Sequence, residues 1–153
     1  MRRLLMTLLL LGSLAAASAS DAVTGGVVKV LPLFLDLKGH DAVSPSLFDR
    51  DAYQAYLRVH TNEVSAVRYD VLWKAPQAAV AKLKLRVELR GIGAGGLPKQ
   101  TTLEQEVVPK SARSWTSITF GGGDYKNFGE IISWRVTLWD GGQLLGGQQS
   151  FLW

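Results

Sequence analysis

The chain has 153 residues, of which 17 are basic, 13 acidic and two histidine, with no cysteine. The absent thiols exclude cysteine nucleophiles, thiolate metal sites and disulfides. Arg2 and Arg3 fall in a leader segment; without them 15 basic residues face 13 acidic ones, and that balance makes no case for a nucleic-acid partner.

The leader is MRRLLMTLLLLGSLAAASAS. Two arginines precede an apolar run from Leu4 to Leu14, and Ala17-Ser18-Ala19 has the small-x-small form of a cleavage site. The run is shorter than the roughly 20 residues that span a bilayer. Residues 1–19 are therefore expected to be a cleaved signal peptide, and the protein to be exported, periplasmic or extracellular. Cleavage after residue 19 leaves 134 residues, one domain over 20–153, with no transmembrane segment. A chain of that length buries about two thirds of its unfolded surface, enough for a core without disulfides.

GGVVKVLPLFLDLKG (25–39) is rich in β-branched residues but carries Pro32, which cannot donate to a ladder, so an edge strand or two short pieces is expected. SPSLFDRDAYQAYLRVH (44–60) reads as a helix. Ser46 and Asp49 have the S-x-x-D form of an N-terminus, and Asp49 and Asp51 suit the positive end of the dipole. At 100° per residue Phe48, Ala52, Ala55, Tyr56 and Val59 share one face, flanked by Tyr53 and Leu57, with Arg50, Asp51, Gln54 and Arg58 opposite. The expected helix is a lid with that apolar stripe buried, leaving Tyr53 and His60 with edges free for a ligand.

SAVRYDVLWKAP (65–76) alternates Val67, Tyr69, Val71 and Trp73 with polar residues. AKLKLRVELRG (81–91) sets Leu83, Leu85, Val87 and Leu89 against Lys82, Lys84, Arg86, Glu88 and Arg90. Period two marks strands with one wet face. GIGAGG (91–96) is followed by Pro98 rather than a helix, which denies it a nucleotide-loop reading; it and the GGG at 121–123 read as turns. Further strands are expected at 101–109, 114–123 and 130–139, the last with Ile132, Trp134, Val136 and Leu138 inward. Asp140-Gly141 signals a hairpin into a strand that continues to Trp153. The expectation is an all-β fold, a seven-stranded antiparallel sandwich with one short helix between strands 1 and 2.

VLWKAP, with an inward Trp near a strand end and a Pro just after, resembles the second strand of fibronectin type III modules. The resemblance implies an immunoglobulin-like strand order. From SPSLFDRDAYQAYLR to the terminal SFLW the chain also resembles an uncharacterised group of secreted bacterial proteins, from which no catalytic residue carries over. In an immunoglobulin-like order strands three and six are neighbours. Lys84, Arg86 and Arg90 then lie beside Arg135, Thr137 and Trp139, with Glu104 and Glu106 on the next strand. That face reads either as a basic, aromatic ligand surface or as cross-strand ion pairing.

Catalytic constellations are scarce. His40, Asp41 and Ser44 are too close in sequence for a relay and lack a Gly-x-Ser-x-Gly elbow. His40, Asp41, His60 and Glu63 have no metal-ligand spacing. The function expected is a non-catalytic binding module without a cofactor, a monomer or weak oligomer, taking a protein or glycan partner. Arg86, Arg135, Trp139, Trp115, Tyr53 and His60 are the candidate contacts: the tryptophans for sugar stacking, the arginines for an acidic partner. Trp73 and Trp134 are assigned to the core. Two alternatives are a hydrolase using Asp36, Asp41 or Asp49, and a small outer-membrane barrel, for which Phe151 and Trp153 have suitable spacing.

Overall fold

The computed structural model describes residues 25–76 and 82–153; the expected signal peptide lies outside them. The described chain runs β1 (Gly26–Asp36), α1 (Leu47–Val59), β2 (Val64–Lys74), β3 (Leu83–Ile92), β4 (Pro98–Val107), β5 (Ser114–Gly121), α2 (Gly122–Phe128), β6 (Glu130–Asp140) and β7 (Gln143–Gln149). The strands pair antiparallel into two sheets, β1-β2-β5 and β4-β3-β6-β7. Both sheets are open, so the outer-membrane barrel is not the architecture of the described residues. None of their helices is long and apolar enough to cross a membrane.

The alternating sequences do what their period dictates. Val67, Tyr69, Val71 and Trp73 of β2 and Leu83, Leu85, Val87 and Leu89 of β3 are buried between the sheets, with Ile118, Phe120, Val136 and Leu138. Each such side chain contributes on the order of 1.5–3 kcal/mol on burial. The Trp73 indole also donates to Thr116 Oγ1 at 2.9 Å, which satisfies its one polar atom. Strand β3 pairs with β6 as the expected order required, setting Arg86 opposite Thr137 and Glu88 opposite Arg135.

β1 is one continuous edge strand, the first of the two outcomes Pro32 allowed, and its free side is capped from Pro32 to Asp36. Pro32 offers no N–H there. Two residues on, the Phe34 N–H donates to Gln54 Oε1 at 2.7 Å, and Gln54 Nε2 donates back to the Phe34 carbonyl at 2.8 Å. The Asp36 N–H donates to the His40 carbonyl at 2.9 Å. Gln54 thus stands in for a neighbouring strand, and its Nε2 donates further to the Asp41 carbonyl at 2.9 Å.

That clasp reverses the expected orientation of α1. The helix starts at the Ser46 cap, whose side chain accepts from the Asp49 N–H. It then buries Gln54 and Leu57, while Phe48 is 81% exposed and Val59 76%. The helix packs on a strand edge rather than on a sheet face. An edge presents amide groups, so a glutamine with one acceptor and one donor fits it better than an aromatic.

The GGG stretch was expected to be a turn, but it leads into a second helix, α2. Gly122 takes φ +66° at its start, and the helix is anchored by buried Phe128 and half-buried Tyr125. Both rings meet Phe120 edge-on, at 5.4 and 6.1 Å. Gly129 follows at φ +96°, where a Cβ would lie 2.3 Å from the Ile92 carbonyl oxygen. Only glycine permits this close approach of β6 to β3. The register then slips between Arg90 and Gly91, leaving Ile132 without a partner and half exposed rather than in the core. β7 stops at Gln149, short of the expected Trp153, and Phe151 and Leu152 are exposed in a turn.

Candidate functional site

Three of the six predicted contacts come together. Arg86, Arg135 and Trp139 lie on the outer face of the four-stranded sheet, on the adjacent strands β3 and β6. Trp115 is exposed on β5, in the other sheet, and Tyr53 and His60 belong to the helix at the β1 edge.

The face that gathers Arg86, Arg135 and Trp139 is occupied by its own members. Arg86 Nε donates to Glu104 at 2.8 Å and Lys84 Nζ reaches the same carboxylate at 2.8 Å. These bonds to Lys84 and Arg86 hold the Glu104 carboxyl below its ordinary range. Arg135 grips Glu88 with two bonds at 2.8 and 2.9 Å, and that pairing raises its own pKa. The Arg86 guanidinium lies 4.9 Å from the Trp139 ring centre, and the Trp139 indole donates to Thr137 Oγ1 at 2.9 Å. Trp153 folds back so that Arg90 and Arg135 sit 3.9 and 4.7 Å from its ring. Cations, carboxylates and aromatic faces are thus mutually engaged, the ion-paired alternative for this stripe.

Around α1 Tyr53, Tyr56 and Asp36 are equally committed. The Tyr53 hydroxyl donates to Asp36 at 2.9 Å, which raises the tyrosine pKa. Asp36 also accepts the Lys38 and His40 N–H groups, both at 2.8 Å. Its carboxyl is held low, chiefly by the His40 N–H. Tyr56 stacks on the His60 ring at 3.8 Å and donates to Glu63 at 2.8 Å. Of the carboxylates named for hydrolysis, Asp41 meets Arg68 at 3.1 Å and Asp49 accepts from Ser44 Oγ at 2.5 Å. No group of three His, Asp or Glu side chains suited to a metal ion occurs among the described residues.

A less committed surface lies between the sheets. Between β1 and β2 of one sheet and β6 of the other, a cleft of about 910 Å³ opens. Phe34, Val67, Tyr69 and Trp134 line it, with Ile132, Arg58 and Lys126 among its further lining residues. Tyr69 and Trp134 meet there edge-on at 6.3 Å. Burial pushes the Tyr69 hydroxyl well above its ordinary pKa and raises Tyr125 at the same cleft, so both stay neutral. Ile132 and Trp134, expected in the core, therefore border this opening; Trp134 is partly buried and Ile132 half exposed. The bulge that aims Ile132 there leaves no trace in hydropathy, and sequence reasoning missed the cleft for that reason.

Comparison with protein-family models, curated proteins and solved structures gives no match.

Proposed function

We propose that this chain is an exported, non-catalytic binding module of immunoglobulin/fibronectin type III-like build, which takes its ligand in the cleft between its sheets. The strand order β1-β2-β5 against β4-β3-β6-β7 supports the module type, with α1 inserted between the first two strands. The leader supports export. One observation carries the binding reading: a cleft of about 910 Å³, in the size range of small-molecule sites, floored by the aromatic rings of Phe34, Tyr69 and Trp134. The outer sheet face supports a protein or glycan partner less well, because Arg86, Arg90 and Arg135 already face the Trp139 and Trp153 rings.

The test is titration of the purified protein with N-phenylnaphthylamine, following the probe's emission and quenching of tryptophan. Saturable binding at one site per chain is expected. Ile132→Trp, a rim substitution, blocks the cleft and weakens binding at least tenfold with an unchanged melting temperature. Absence of saturable binding, or full binding by Ile132→Trp, refutes the cleft as the site.

A further inference from the structure

We infer that the cleft takes a single-chain anionic amphiphile, a long-chain carboxylate whose tail lies on the apolar floor and whose head meets Arg58 and Lys126; this rests on the cleft reading above. The two cations reach the cleft from different elements, Arg58 from the last turn of α1 and Lys126 from α2. Elsewhere on the molecule Arg50, Arg68, Arg86 and Arg135 each meet a carboxylate. Among the described residues neither Arg58 nor Lys126 has an ion-pair partner, and both are exposed. Glu130 is the one carboxylate in the lining, so the mouth carries a net of one positive charge. Thr61 and Asn62 add neutral hydrogen-bonding groups to the lining.

An apolar floor beneath a mouth of net positive charge is complementary to an amphiphile with a negative head. The charge count selects which head. A phosphate monoester carries about −1.5 to −2 at neutral pH and would leave charge uncompensated, whereas a carboxylate carries one. A carboxylate also matches the planar fork of a single guanidinium, which Arg58 supplies. A neutral head would leave both cations to water.

Displacement of N-phenylnaphthylamine from the full chain by carboxylates of eight to fourteen carbons and by the matching alcohols, all below micelle-forming concentrations, tests this. Carboxylates are expected to bind on the order of tenfold tighter for every two methylenes added. They should outbind the alcohols by roughly tenfold. The double variant Arg58→Gln, Lys126→Gln should abolish that preference while leaving alcohol affinity unchanged. Equal displacement by acid and alcohol, or a preference that survives in the double variant, overturns the assignment yet leaves the cleft standing, since the probe still binds. Tighter binding of dodecyl phosphate than of dodecanoate overturns the choice of head. Failure of the probe to bind at all removes the cleft reading itself.

Discussion

Replacing Gln54 with alanine removes three hydrogen bonds at once, two to the backbone of Phe34 and one to the Asp41 carbonyl. At a net of about 0.5–1.5 kcal/mol each, the loss lies between about 1.5 and 4.5 kcal/mol. Alanine leaves space through which water can reach the strand edge, which places the expected cost in the lower part, about 2–3 kcal/mol. For a domain of this size that lowers the melting temperature by roughly 10 °C. Urea unfolding followed by tryptophan emission measures it, with an unchanged slope expected. Gln54→Glu makes the test sharper. It keeps an acceptor for the Phe34 N–H but turns a carboxylate toward two carbonyl oxygens, which favours the protonated form and raises its folded pKa above the ordinary value of about 4.3. The Glu variant is therefore closest to the parent protein below that value and loses ground as pH rises through the raised pKa. A cost below about 0.5 kcal/mol for alanine, or a pH-independent deficit for glutamate, refutes the strand-mimic role.

The orientation of α1 makes a second contrast: Leu57→Ala should cost about 2–5 kcal/mol, whereas Phe48→Ser and Val59→Ser should stay within about 0.5 kcal/mol. Equal losses by thermal melting would restore the expected Phe48–Val59 stripe as the buried one. The low pKa of Asp36 sets an acid limit. Its contribution is fully present above the ordinary value of 3.8 and is lost as pH falls below that through the lowered folded value. Asp36→Asn should flatten the fall in melting temperature below about pH 4, and an undiminished fall would show that other carboxylates govern it.

Much of the scaffold was legible because its signals are local. Leu83, Leu85, Val87 and Leu89 alternate with charged residues and are buried between the sheets; Pro32 pointed to an edge or a break, Ser46 to a cap and Asp140-Gly141 to a hairpin whose glycine takes φ +56°. The errors share a different cause. The apolar stripe on α1 assumed an apolar surface beneath the helix, but the surface is the backbone of Phe34, to which Gln54 is complementary. Gly122 and Gly123 argue against a helix by propensity, and α2 forms because Tyr125 and Phe128 have Phe120 to pack on. The outer face of the four-stranded sheet was placed correctly by strand neighbourhood. Which of its charges were already paired was set by register, to a precision no pattern carries. The cleft is lined by β1 and β2 from one sheet and β6 from the other, a property of two sheets together.

The strand order has a kinetic consequence. Among the described strands only β3–β4 and β6–β7 are paired neighbours in the chain without an intervening α-helix, and both lie in the four-stranded sheet. That sheet can begin from two local pieces joined by the β3–β6 pairing, whereas β2 must wait for β5, some forty residues downstream, before the three-stranded sheet is complete. Sandwiches dominated by such distant pairings fold in milliseconds to seconds. Until β5 docks, Tyr69 and Val71 stand uncovered on one side. That interval is when the chain's apolar strands are most open to association with other molecules.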